Sequence, residues 1–332
     1  TKWAFLFEGP QKDGGFNQSF QLGIDAVEKV GDEAVIQDEL PYTRKFTQAV
    51  SRQIGDGSRV LVEALGAGPL FNSCTKSKVP DVKCYTPVTD PENVPENTVG
   101  YWQEEWFLQY IGGYAAGLKT ESNITGFVSP FKLPVTFGAI NSFALGCRAA
   151  NPECEVRVVV IESYFDPSKA AKASNTLIDA GADVLSAYVN DPTFCQVAEK
   201  RGVFAIGLYT EGFSQSCPKA AIASTIYDFS DYFEQEAKSI RDGTWEGGVL
   251  EWVKIGDKPG SPRLSDLNED ITTPELREKV EAEYQKILDG ETPFQGPITD
   301  NKGEERVPAG ETLDDVFLWY GWDWYVEGVV GS

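Results

Sequence analysis

Apolar and polar positions alternate between two rhythms along this chain. Short, almost continuous apolar runs are separated by longer stretches with helical spacing. Trp3–Phe7, Ala34–Gln37, Arg59–Ala64 and Val82–Thr86 read as strands. Between them Phe16–Val30 places Phe20, Ile24 and Val27 on one helical face, and Phe46–Ile54 is a second helix. Trp106–Leu118 is a helix so rich in Gly and Ala that another element must pack closely on it. The rhythm then restarts, with strands at Ile124–Val128, Val156–Ile161, Val184–Tyr188, Phe204–Leu208 and Ala221–Ile226. Helices at Gly138–Ala149, Pro167–Ala180, Thr193–Lys200 and Ser230–Arg241 fall between or after them. Strands this apolar are buried on both faces, which suits parallel sheets covered by helices. Two successive series of this kind predict two doubly wound parallel α/β sheets.

The last part changes character. Asp257–Asp270 and Pro293–Gly310 read as loop, and Thr273-Pro274 as the N-cap and first position of a helix running to about Leu288. Trp319–Gly328 is dense in aromatics and reads as packing against a lobe or hinge.

Ligands of open parallel sheets bind beyond the carboxyl ends of the strands. The residues there are Asp13, Phe16, Asn17 and Gln18 after the first strand and Gly66 in Leu65-Gly66-Ala67-Gly68 after the third. Tyr164, Asn190-Asp191, Tyr209-Thr210-Glu211 and Tyr227-Asp228 follow strands of the second series. Aromatics, amides and carboxylates dominate, with almost no Lys or Arg. Such a site suits a flat, neutral, polar ligand, stacked on its faces and hydrogen-bonded at its edge. Gly66-Ala67-Gly68 resembles a dinucleotide fragment, but Pro69 stands where a helix should donate N–H groups, so nucleotide phosphate is not expected there. Two readings stay open for Asp13, which can also tie up N–H groups of its own turn, and for Phe16, which can be plain core.

Composition narrows the classes. The chain has 332 residues, 41% hydrophobic, enough for two cores. A net charge of −22 opposes nucleic acid and anionic membranes as partners. With no His in the sequence, neither a His-containing triad nor His-type metal spacing can be drawn, and no catalysis, cofactor or metal is expected. The adjacent pairs Glu104/Glu105 and Asp314/Asp315 read as solvated faces, and Asp166 as the cap of the helix after Pro167. No apolar run is long enough to span a bilayer. The six cysteines form neighbouring pairs, Cys74/Cys84, Cys147/Cys154 and Cys195/Cys217. Pairing in that order in an oxidising compartment is the favoured expectation, six reduced thiols the alternative. Asn123-Ile124-Thr125 and Asn17-Gln18-Ser19 match the glycosylation pattern.

Longer motifs carry a resemblance. "GPQKDGGFNQSFQLGI", "YIGGYAAGLKTESNITGFV", "INSFALGCRAANP", "SYFDPSKAAKASNTLIDAGADVL", "TPFQGPI", "RVPAGETL" and "DWYVEGV" occur in an order that resembles the basic membrane lipoprotein family of solute-binding proteins over nearly the whole chain. The resemblance implies a type I periplasmic-binding-protein fold, two α/β lobes joined by a three-strand hinge that close on a ligand. Residues 1–118 with about 228–260 would form one lobe, and 119–227 with about 261–332 the other. It also implies a monomeric, extracytoplasmic protein that serves an ABC permease and binds a purine nucleobase or nucleoside. Phe16 then stands where the family stacks a base, Asn17 is its neighbouring amide, Tyr164 faces the other side of the ring, and Asp191 matches an acidic position of nucleobase binders. The chain departs from the family at Tyr209-Thr210-Glu211, where relatives often carry Asp-Ser-Asp and Glu211 could substitute. It departs again at Tyr227, where nucleoside receptors have a Lys and nucleobase binders an aromatic. The same fold holding a sugar, or a secreted interaction protein that has left transport, are the competing expectations.

Overall fold

The computed structural model describes residues 1–41, 43–64, 81–87 and 89–331. The first series gives strands β1 Lys2–Leu6, β2 Glu33–Gln37, β3 Val60–Glu63, β4 Lys83–Thr86 and β5 Thr98–Gln103. The second gives β6 Ile124–Ser129, β7 Glu155–Val160, β8 Val184–Ala187, β9 Phe204–Tyr209 and β10 Ala221–Ile226. Then follow β11 Val249–Val253, β12 Arg263–Leu264, β13 Ile298–Thr299, β14 Glu305–Val307 and β15 Val329–Val330. One sheet runs β11-β5-β4-β3-β1-β2 and the other β12-β10-β9-β8-β6-β7-β15. Within these two sheets all pairs are parallel except β12 on β10. The two-sheet α/β architecture read from the sequence is therefore present.

Alternation along β1 shows why the sheet is covered twice. Trp3, Phe5 and Phe7 join one core, while Ala4 and Leu6 join another with Phe46, Val50 and Leu61. Successive side chains of a strand point to opposite faces, so a continuous apolar run needs helices on both.

The chain crosses between the sheets three times, after β5, after β10 and between β11 and β12. The helix Ser230–Asp242 returns to the first sheet, where the Phe233 ring lies 2.5 Å from the space a Cβ on Gly23 would take. The helix Glu105–Lys119 goes the other way. A Cβ on Gly113 would stand 2.0 Å from the Phe143 carbonyl, and one on Gly146 1.9 Å from that of Tyr110. It thus packs backbone to backbone on the helix Pro134–Ala150, while Gly112 faces Ile206 and Thr225 of the second sheet. This is the close neighbour that the Gly/Ala pattern required. The first crossing therefore falls at residue 104, whereas the sequence placed the lobe boundary after 118.

Other differences are local. β5 and β11 were not foreseen, because Gly100 and the mixed pattern Val-Leu-Glu-Trp-Val hide their strand character. The stretch Pro293–Gly310 contains the hairpin of β13 and β14, where only loop was expected. Phe16–Val30 breaks at Phe20 into Phe16–Ser19 and Gln21–Lys29. Thr273 and Asp166 act as the caps expected of them, accepting from the N–H groups of Leu276 and Lys169. In the aromatic tail, Trp319 stacks on Trp102 at 4.9 Å and donates its indole N–H to the Pro87 carbonyl at 2.8 Å.

Cys147–Cys154 and Cys195–Cys217 are disulfides, and Cys84 is disulfide-bonded as well. Cys74 lies outside the described residues. The reduced-thiol alternative does not hold for the described cysteines.

Candidate ligand-binding site

Strand order reverses around β1 in one sheet and around β6 in the other, and the crevice at such a switch point is where ligands of open α/β sheets sit. The turn after β1 is built by Asp13. Its carboxylate accepts the N–H groups of Gly15 at 2.8 Å, Asn17 at 2.9 Å and Gln18 at 3.2 Å. Asp13 thus serves its own turn, one of the two readings left open. Burial raises its pKa to about 6 against the pull of those N–H groups. The clamp starts the short helix that buries Phe16 and Asn17 and leaves Gln18 exposed.

The glycines of the turn have a positional reason. Gly14 has φ +78°, a conformation that costs other residues energy. A Cβ on Gly15 would stand 1.9 Å from the Asn190 carbonyl. Without it the first lobe closes on the second, and the Phe16 N–H donates to that carbonyl at 3.3 Å. Alongside, Asn190 Nδ2 donates to Glu8 Oε1 at 3.0 Å. Burial pushes Glu8 up to about 7.

Rings from both lobes meet at this seam. Phe16 packs edge-to-face on Tyr209 at 5.5 Å and on Tyr227 at 6.3 Å, and lies 5.9 Å from Trp102. Tyr209, at the end of β9, has φ +70° and is fully buried. Tyr164 packs on Phe131 at 5.2 Å, and its backbone carbonyl accepts the Asn190 N–H at 2.8 Å. Burial, with Glu8 and Glu105 nearby, raises its phenol pKa. Asp191 Oδ1 accepts the Thr193 N–H at 2.9 Å.

Glu105 is the residue that the sequence reading misplaced. Expected on a solvated face together with Glu104, it is 2% exposed at the first turn of its helix. The two carboxylates do diverge, but into protein. Glu104 pairs with Lys254, whereas Glu105 accepts the hydroxyls of Tyr188 at 2.7 Å and Tyr227 at 2.8 Å. Burial raises Glu105 to about 7, opposed by these hydroxyls and by Trp102. Its one sequence signal was its place at the start of the helix after a crossing strand, and that strand was itself missed.

The structure thus gathers Asp13, Phe16, Asn17, Tyr164, Asp191, Tyr209 and Tyr227 around one seam, and adds Glu8, Glu105, Tyr188 and Asn190. Glu211 is exposed and paired at 2.5 Å with Arg263, which also holds Asp228 at 3.0 Å beside a crossing. Gly66 lies outside the described residues. Of the two glycosylation matches, Asn123 is exposed, while Asn17 is 1% exposed and so closed to modification in the fold. Glu8, Asp13, Glu105 and Asp191 take no ion pair with Lys or Arg among the described residues. Buried carboxylates without a cation repel an anionic ligand and favour one that donates hydrogen bonds.

Known proteins agree with this architecture. The family model described as "ABC transporter substrate-binding protein PnrA-like" matches residues 70–291. A purine-binding protein of Brucella abortus is 29% identical over 99% of this chain and 92% of its own length. A protein of Haloferax volcanii, named provisionally for glucose binding in an ABC transporter, is 30% identical over 73% of this chain and 60% of its own length. A solute-binding protein of an ABC transporter system from Conexibacter woesei superposes with a TM-score of 0.70, covering 88% of this chain and 97% of that one at 22% identity.

Proposed function

The chain belongs to the Bmp family of PnrA-like ABC transporter substrate-binding proteins, and from that premise we propose that it binds a purine nucleobase or nucleoside at the seam between its two sheets. The observation that carries this reading is the meeting of Phe16 with Tyr209 and Tyr227 beside buried amides and carboxylates that pair with no cation among the described residues. Aromatic faces stack a flat heterocycle, and the polar atoms read its edge. Phe16 supplies the stacking face, Tyr164 the opposing ring, and Asn17 and Asp191 the edge contacts. Asp13 acts through the turn that it holds.

The lobes divide at the three crossings, near residues 104, 228 and 255–262, and binding requires them to part and close again. The ligand leaves unchanged, handed to a permease. The disulfides support an extracytoplasmic location, where thiols oxidise.

A thermal-shift panel of adenine, guanine, hypoxanthine and their nucleosides tests this, with glucose and ribose as controls. A ligand at about 100 times its Kd stabilises the folded state by about 2.7 kcal/mol, a clear rise in Tm. A shift with one purine, lost in Phe16→Ala, is the expected result. A shift with glucose alone moves the assignment to sugars. No shift in protein stripped of retained ligand replaces it with an interaction protein whose lobes close on each other.

A further inference from the structure

One motif of the sequence is absorbed neither by the fold nor by the ligand site. Asn123-Ile124-Thr125 matches the acceptor pattern for Asn-linked sugar. Asn123 ends the turn that leads into β6, and Glu121, Ser122 and Asn123 are all exposed. The turn is fixed from several sides. Asp183 Oδ2 accepts the N–H groups of Glu121 and Ser122, each at 2.8 Å. Asn123 takes φ +60°, which Asn tolerates better than most residues, and its backbone carbonyl accepts the Glu155 N–H at 2.8 Å.

The side-chain amide is oriented as well. Asn123 Oδ1 accepts Nδ2 of Asn151 at 2.8 Å, and Asn151 sits inside the loop that the Cys147–Cys154 disulfide closes. Asn123 Nδ2, on the other side of the same carbon, bonds to nothing among the described residues. The second match, Asn17-Gln18-Ser19, is the opposite case. Asn17 is 1% exposed and donates its Nδ2 to the Pro10 carbonyl at 3.1 Å. That nitrogen also stands 3.3 Å from the space a Cβ on Gly9 would take. A sugar on it has no room in this fold.

We propose that Asn123 is a modification site carrying an Asn-linked oligosaccharide, and that Asn17 stays bare in the folded protein. The donor is of the lipid-linked oligosaccharide pyrophosphate class. Asn123 Nδ2 bonds to C1 of the first sugar, and the bond from C1 to the pyrophosphate oxygen breaks. The lipid pyrophosphate leaves, one Nδ2 proton passes to solvent, and nothing is oxidised or reduced. Such sugars belong to exposed loops of secreted proteins, the setting that the disulfides also call for. The position leaves the ligand site clear. Asn123 lies at the amino end of β6, whereas the crevice lies beyond the carboxyl ends of the strands. The six residues of β6, at about 3.3 Å each, put about 20 Å between the sugar and the crest.

The test is the intact mass of the full chain secreted from a eukaryotic host, before and after peptide-N-glycosidase, beside Asn123→Asp and with peptide mapping. Asp keeps an acceptor for Asn151 Nδ2 and tolerates the positive φ, so the fold is retained, and a melting curve checks this. The glycosidase leaves Asp where it removes a sugar. Treated wild type is therefore expected to match the mass of the variant, and the variant to emerge without sugar and unchanged by the enzyme. Secreted wild type that carries no sugar at Asn123 overturns the inference. Sugar mapped to Asn17 in protein that still melts cooperatively overturns its second half. Either result leaves the purine reading standing.

Discussion

Glu105→Gln isolates one buried charge. In the folded protein burial raises the Glu105 pKa from the ordinary 4.5 to about 7, the hydroxyls of Tyr188 and Tyr227 only partly offsetting it. At about 1.36 kcal/mol per pH unit, the ionised form is disfavoured in the fold by about 3 kcal/mol. The folded pKa lies above the unfolded one. The associated stability is therefore full below pH 4.5 and is lost as pH rises through about 7. Gln has the same shape, accepts one tyrosyl O–H through its oxygen and does not titrate. At pH 5 the variant and wild type should agree within about 1 kcal/mol, the worth of one rearranged hydrogen bond. By pH 8 the variant should have gained about 3 kcal/mol relative to wild type, a Tm difference of about 4 °C in a chain of this size. Paired melts from pH 5 to 8 at fixed ionic strength measure it. Glu8, Asp13 and Glu236, also raised by burial, cancel in the difference. A difference that stays constant across that range refutes the placement of Glu105 as a buried carboxylate.

Further outcomes follow from the packing. Gly113→Ala places a methyl group 2.0 Å from the Phe143 carbonyl, so the two helices must separate, at a cost of about 3 kcal/mol read by urea denaturation. Replacing Cys195 and Cys217 by Ala opens a loop of sequence separation 22 and should cost about 3 kcal/mol. The same change at Cys147 and Cys154, with separation 7, should cost about 2 kcal/mol, and equal losses would contradict the loop-entropy account. Arg263→Leu strands Asp228, whose side chain is 3% exposed, and should destabilise by about 3–5 kcal/mol in melts near neutral pH. Arg263→Lys should recover much of this, because an ammonium still pairs with Asp228 and the lost pair with exposed Glu211 is worth only about 0–1 kcal/mol.

Much of this molecule was legible locally. The apolar runs of β1, β3, β6 and β8 announce parallel strands because burial on both faces leaves no polar alternation. The rule that ligands sit at strand ends then picks out Asp13, Phe16, Tyr164, Asp191, Tyr209 and Tyr227 as crest residues, and only the family resemblance set the two crests face to face. Caps such as Asp166 and Thr273 are set by bonds to residues only three positions away. The sequence also showed that something must lie against Gly112, Gly113 and Gly117, since only glycine admits such an approach.

Which element lies there is a different matter. That the helix Glu105–Lys119 belongs to the second sheet follows from the backbone of Phe143 and the side chain of Ile206, both distant in the chain. Glu105 looked solvated because its neighbour is another carboxylate. It is buried because Tyr188 and Tyr227, 83 and 122 residues away, bring their hydroxyls to it. Local pattern determined the strands, the helices and the crests. The tertiary structure decided which carboxylates lost their water, because desolvation depends on the side chains that arrive from elsewhere in the chain.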